Sequence, residues 1–343
     1  MIRTEEVSAP APTPATAATA ERGRLRLRGL GWLMWRQLRL PVWGWLALVA
    51  VAAVAAVVFH AREVSYFSSH QIAGCAEISL DPACQQPGIQ QSVMEFRTTY
   101  GEPLKLAGLA LLLLPVGLGA ALGAPLLAQE LERGTWKVVL TQPVSRTRWV
   151  LAKLAAVALS AGLGSVALML IYRWVWQPGA NDVSGIAWYS TVFFASGGPV
   201  LVSTVLLALA VGALAGAVLR RTQPAMAATV VLVGLLQYGL DTLRPYLWGW
   251  QTELVSRSEL PNNTWGFAQG FMTPSGTRLP YDICGRQLDY LSCTKRYADA
   301  REYTDLHHVA DYWPLQLVES GIGLALALAL VVGTLYWVRR RLG

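Results

Sequence analysis

Charged residues are absent from six stretches of the 343-residue chain: 40–59, 106–128, 154–172, 186–218, 222–240 and 320–338. A hydrocarbon layer about 30 Å thick is crossed by roughly 20 helical residues, so each stretch is long enough to span a bilayer. The fourth is too long for one crossing. It contains Gly197, Gly198 and Pro199, a sequence that breaks or kinks a helix, which predicts an interfacial segment followed by a span. The pattern therefore predicts six transmembrane helices, over about 40–60, 106–128, 150–172, 199–218, 222–240 and 316–338. Pro115, Gly117, Gly119 and Gly123 predict a kink in the second span and close packing against it; packing without any hinge function is the plainer reading.

Composition agrees with the pattern. Hydrophobic residues make up 54% of the chain and charged residues 14%, with a mean hydropathy of +0.39. A soluble domain carries about 25% charge, so a cytosolic enzyme, a disordered chain and a small secreted disulfide scaffold are excluded for the whole. The charges that remain report orientation. With the N-terminus cytoplasmic, 17 of the 28 Lys and Arg fall on the inner segments and the outer segments are net acidic, as the positive-inside rule requires. Both termini are then cytoplasmic and the protein sits in the cell membrane. The basic balance reports topology and is no footprint for nucleic acid. Residues 1–21, rich in Ala, Pro and Thr, read as a disordered tail, and the first apolar core starts too far in for a cleaved signal. Residues 22–39, with Trp32, Trp35, Arg36 and Arg39 at helical spacing, read as a cytoplasmic interfacial amphipathic helix or as a plain basic anchor beside the membrane.

The permease-like body, 40–343, leaves two larger extracytoplasmic regions, 61–105 and 241–313. Each holds two cysteines with the same spacing, Cys75 with Cys84 and Cys284 with Cys293. Even numbers of cysteines confined to the outer side predict disulfides; two local bridges are favoured, with crossed pairing open. No CxxC or HxxxH spacing is present, so no metal site is expected. Trp174, Trp176, Trp188, Trp248, Trp250 and Trp313 lie near outer span ends, where an aromatic belt is expected. The expected fold class is an all-α membrane protein with six transmembrane helices and two disulfide-containing loop regions.

The spans hold almost no ionisable groups. Glu319 lies at the outer end of the last span and is expected to snorkel outward, pairing with an outer arginine being the alternative; Asp241 and Arg244 lie just past the fifth. No base or acid pair stands beside a nucleophile in the spans, and no titratable midplane site marks an ion-coupled carrier. No catalytic residue is assigned. The chain also lacks the GxxxxGK[ST] phosphate loop, so any ATP-driven work draws on another subunit.

The longest inner loop reads LAQELERGTWKVVLTQPVSRTRWVLAK, residues 127–153. Its ordered set of Glu130, Glu132, Gly134, Thr135, Leu140, Thr141, Pro143, Val144, Ser145, Arg146, Trp149 and Lys153 resembles the membrane subunit of ATP-binding-cassette (ABC) transporters of the type-2 exporter superfamily. The resemblance implies that this loop is a coupling helix receiving force from a separate ATPase subunit, with Glu130, Glu132, Gly134, Thr135, Trp136, Pro143 and Arg146 carrying the contact. Glu130 and Glu132 then face arginines of the ATPase or of the N-terminal helix. Arg146, Arg148 and Lys153 are alternatively headgroup anchors, which for Arg148 and Lys153 is the preferred reading. The resemblance further implies two ATPase copies holding ATP and Mg, no cofactor in this chain, and a homodimer or heterodimer of permeases joined across the first and fifth spans in membrane lipid. The implied function is export of an amphipathic or hydrophobic substrate such as a drug, natural product, peptide or lipid. A different class remains open: a non-transporting membrane protein whose outer regions bind a ligand or partner.

Overall fold

A computed structural model describes residues 30–75, 82–134, 146–181, 183–261, 263–284 and 290–341. The tail at 1–21 and residues 22–29 lie outside the described residues. Among the described residues ten α-helices follow in chain order: α1 (Leu30–His70), α2 (Pro87–Phe96), α3 (Glu102–Leu118), α4 (Pro125–Arg133), α5 (Arg146–Trp176), α6 (Thr191–Ser196), α7 (Pro199–Leu219), α8 (Thr222–Leu243), α9 (Tyr290–Arg296) and α10 (Tyr312–Arg341). Four strands accompany them: β1 (Gln251–Glu253), β2 (Trp265–Met272), β3 (Arg278–Pro280) and β4 (Arg301–His307). Six helical rods are long and apolar enough to cross a membrane: Trp43–His70, Pro87–Arg133, Thr147–Gly179, Pro199–Leu219, Thr222–Tyr246 and Val309–Arg340. The chain is therefore a multi-pass membrane protein.

Several rods run further than the uncharged stretches. Helix α1 is unbroken from Leu30, through the segment expected to lie in the interface, past residue 60 to His70. Arg62 and Glu63 do not end it, because Glu63 is turned inward and buried. The second rod is compound. Two π-helical turns, Arg97–Gly101 and Gly119–Gly123, join α2, α3 and α4. The second follows Pro115, and its wide turn is closed by Ala124 N–H donating to Gly119 O at 2.9 Å. A proline in a helix removes a hydrogen bond and crowds the preceding turn, and a π turn is a common way to absorb that insertion.

Helix α7 is the axis of the bundle. It has the highest mean hydropathy of the six rods, 2.4, and is buried along most of its length, as a helix apolar on every side should be. Helices α3, α4, α5, α8 and α10 pack around it, and α1 lies outside against α5. Lipid gives helices little hydrophobic reason to associate, so close backbone packing has to hold them. The crossing of the second rod with α7 achieves this with small residues. A Cβ on Gly212 would lie 2.4 Å from Gly119 O, and one on Gly216 would lie 2.4 Å from Ala124 O. On the opposing helix, a Cβ on Gly119 or Gly123 would fall 2.8 Å from the carbonyl of Ala208 or Leu209. Two Gly-x-x-x-Gly faces thus interlock.

Two disulfides, Cys75–Cys84 and Cys284–Cys293, are formed, which are the two local pairs. The first closes the loop between α1 and α2 over a small core of Ile72, Val93, Phe96 and Val183. The expectation of an all-helical chain is corrected by the second region, which builds an antiparallel sheet in the order β1-β4-β2-β3. Its central strand β4 buries residues from Tyr303 to His307 on both faces. The sheet is fastened to the helix ends: Trp188 Nε1 donates to Asn263 O at 2.7 Å and His307 Nε2 to Pro245 O at 2.9 Å, while Tyr189 stacks parallel to Trp265.

Candidate functional site

Two polar clusters stand at opposite ends of the bundle. At the end formed by α4, the start of α5 and the turn between α7 and α8, three helices are joined by the acids singled out in the sequence. Gly134 caps α4 in the left-handed conformation, at φ +70°, where L side chains are disfavoured. Just before it, Glu132 Oε2 accepts from the backbone N–H and the hydroxyl of Thr222, at 2.9 and 2.8 Å. Those donors open α8, so the carboxylate satisfies an unpaired helix-start N–H and meets the positive end of the helix dipole. One turn back, Glu130 is ion-paired with Lys153 of α5, and the ammonium lies 4.6 Å from the centre of the Trp149 ring.

These contacts revise what the sequence suggested. Lys153 is buried and held by Glu130, so it does not reach for headgroups. Glu130 and Glu132 are engaged within the chain, fastening α4 to α5 and α8. Arg146 is the first residue of α5. Thr135, Trp136 and Pro143 lie outside the described residues, as does the rest of 135–145. The ends of that loop are therefore tied to three spans: α4 and α5 by continuity, and α8 through Glu132.

At the opposite end, Glu319 does not snorkel. It is buried and takes two bonds from Arg244, Nε to Oε2 at 2.8 Å and Nη2 to Oε1 at 3.1 Å. Arg244 Nη1 donates to Asp241 Oδ1 at 2.6 Å, and the guanidinium lies 4.1 Å from the centre of the Phe194 ring. Beside this cluster, Arg173 Nη1 donates to Gly197 O and to Tyr312 Oη, at 3.3 and 3.2 Å. Gln316 bonds Phe194 O and the N–H of Val200, at 2.7 and 3.2 Å. The broken backbone at Gly197-Gly198-Pro199 thus has its polar groups met by α5 and α10, as irregular backbone at membrane depth requires.

A cavity of about 420 Å³ runs between α3, α7 and α8, with Asp241, Arg244 and Glu319 at one end. A second cavity, about 350 Å³ between α1, α3 and α5, is apolar apart from Tyr172. A third, about 480 Å³ between α7, α8 and α10, is wholly apolar. Sequence reading ranked the pairing of Glu319 with an outer arginine second to snorkelling and did not name Arg244 as the partner; it missed the inward turn of Glu63. The signal for the pair was available, because the fifth span ends and the sixth begins at one membrane face. Nothing in the sequence distinguishes the inward Glu63 from its neighbour Arg62.

A family model described as ABC-2 membrane transporter related matches residues 46–244, from α1 to the end of α8 and across the 135–145 loop. Comparison with curated proteins and with solved structures gives no match.

Proposed function

The chain belongs to the ABC-2 membrane transporter related family, and from that membership we propose that it is the membrane subunit of an exporter whose ATP is hydrolysed by a separate ATPase subunit. The observation carrying this reading is the fastening of the 127–153 segment: Glu130 to Lys153 and Glu132 to Thr222. Any push on the 135–145 loop then bears on α4, α5 and α8 together. Two permease chains, alike or related, pair across α1 and α8, with one ATPase under each. These two helices carry exposed apolar side chains, Val51 and Val54 on α1 and Leu235 and Tyr238 on α8. The positive-inside rule places both termini and the 135–145 loop in the cytoplasm and the disulfide-bonded regions outside, in the cell membrane. Closure of the ATP-bound ATPase pair moves the coupling loops, the central seam rearranges, and an amphipathic or hydrophobic substrate leaves outward. ATP and Mg belong to the partner's site; this chain supplies the path.

The test is co-purification of the chain with an ATPase subunit and stimulation of ATP hydrolysis in the reconstituted complex. Glu130→Ala frees Lys153, and Gly134→Pro forces φ near −65° where +70° is needed. Both variants should assemble with the ATPase and lose most of its stimulation. Normal coupling in both would overturn the role given to this loop. The sheet at 251–307 lies beyond the family match and supports the second reading, a non-transporting protein binding a ligand or partner through that region. Failure to associate with any ATPase, with ligand capture retained by the sheet region, would favour it.

A further inference from the structure

The cavity between α3, α7 and α8 has an electrical polarity that selects its occupant. Its lining runs along α8 from Val230 to Arg244, about 21 Å at 1.5 Å per residue. For most of that length the walls are apolar or small, with Leu112, Val116 and Gly234 among them. At the end nearest the sheet, three lining residues carry ionisable side chains: Asp241, Arg244 and Glu319.

Each nitrogen of the guanidinium donates to a carboxylate. Glu319 takes Nε and Nη2, Asp241 takes Nη1, and Phe194 covers the face. Arg173 lies outside the lining, bonded to Gly197 O and Tyr312; among the lining residues one guanidinium is set against two carboxylates, a formal surplus that is negative. It resides on Asp241, whose side chain keeps 32% of its surface exposed. Its second oxygen, Oδ2, is met only by a long 3.3 Å contact from the Thr191 hydroxyl among the described residues. On its cavity side this carboxylate faces apolar walls, where its attraction for an opposite charge is stronger than in bulk water. An anion would meet the surplus directly, and a neutral amphiphile would leave it unanswered.

We propose that this cavity binds a lipophilic monocation, its charged centre against Asp241 Oδ2 and its apolar body along α8 toward Val230. This deepens the export reading, which supplies a reason for such a molecule to be held inside the bundle, by naming the charge class of the substrate. A protonated amine or a quaternary onium centre carried on rings or chains meets the requirement.

The test uses the full chain in lipid nanodiscs without an ATPase, so its outcome is independent of coupling. Tetraphenylphosphonium and tetraphenylborate, nearly identical in shape and opposite in permanent charge, are the probes. Binding to this cavity is defined as the saturable part lost in Gly234→Leu, a substitution aimed into open space, since a Cβ there has no neighbour within 4 Å. The expected result is cavity binding of the phosphonium and none of the borate. Asp241→Asn should weaken phosphonium binding by at least about tenfold with the nanodisc-embedded fold unchanged by circular dichroism. No Gly234→Leu-sensitive phosphonium binding, equal binding of the borate, or unchanged affinity in a folded Asp241→Asn variant each overturns the proposal. Should Asp241→Asn fail to fold, the comparison of the two probes on the unmodified chain decides by itself. A failure of the permease reading would instead appear as absent ATPase association with the probe binding intact.

Discussion

Breaking the Arg244–Glu319 pair from one side should cost far more than removing it whole. Both side chains are nearly inaccessible, 4% and 2% exposed, and they share two charge-assisted hydrogen bonds. Leaving one member of a buried pair uncompensated costs about 3–5 kcal/mol. Glu319→Ala should fall at the lower end, about 3 kcal/mol, because Arg244 keeps its bond to Asp241. Arg244→Met should fall nearer 5 kcal/mol, since both bonds to Glu319 come from that arginine. The double substitution Arg244→Met with Glu319→Leu removes both members of the buried pair, fills the space with apolar atoms and leaves Asp241, 32% exposed, to solvent. It should lie within about 1 kcal/mol of the unmodified chain, or above it. The assay is equilibrium unfolding in mixed micelles with graded SDS, followed by tryptophan fluorescence, on all four chains of the cycle. A coupling of several kcal/mol is expected. Losses that add to within about 0.5 kcal/mol, the behaviour of independent sites, would refute the pairing and its burial together.

The interlocked glycines should tolerate no methyl group: Gly212→Ala drives a Cβ against the Gly119 carbonyl and should lose about 1–3 kcal/mol by overpacking. The control Gly333→Ala, on α10 with open space around it, should be neutral or slightly stabilising in the same unfolding assay, because alanine is the better helix former. Glu132→Ala removes the acceptor at the start of α8. It should speed amide exchange at Thr222 and the residues after it, read by hydrogen–deuterium exchange mass spectrometry; unchanged exchange there refutes the capping role.

The six spans were legible because lipid imposes a length and an absence of charge on each crossing, and both are properties of contiguous residues. The local disulfides were legible for the same reason, since Cys75 and Cys84, like Cys284 and Cys293, are close in sequence. Gly197-Gly198-Pro199 announced a break that the chain alone shows. The sheet was hidden because β1 and β3 are three residues long, β2 carries two glycines, and β4 contains Arg301, Glu302 and Asp305. None of these gives a clean alternation, and β4 is buried on both faces by its neighbours.

The charges followed a different rule. Counted along the chain, they set the orientation expected from the positive-inside rule, and in the 127–153 segment they supported a resemblance that agrees with the family. Their partners were not readable there. Glu132 meets Thr222 across 90 residues, and Arg244 meets Glu319 across 75. A span's sequence states what solvent it prefers. Which acid faces which base depends on how the rods rotate and cross, and the interlocked glycines of the second rod and α7 help fix that. The sequence alone determined that this chain holds six stretches long and apolar enough to cross a membrane and no GxxxxGK[ST] motif. Tertiary packing alone decided that Glu130 meets Lys153 at one end of the bundle and Glu319 meets Arg244 at the other, because in a medium of low dielectric a charge is stable only where packing brings a partner to it.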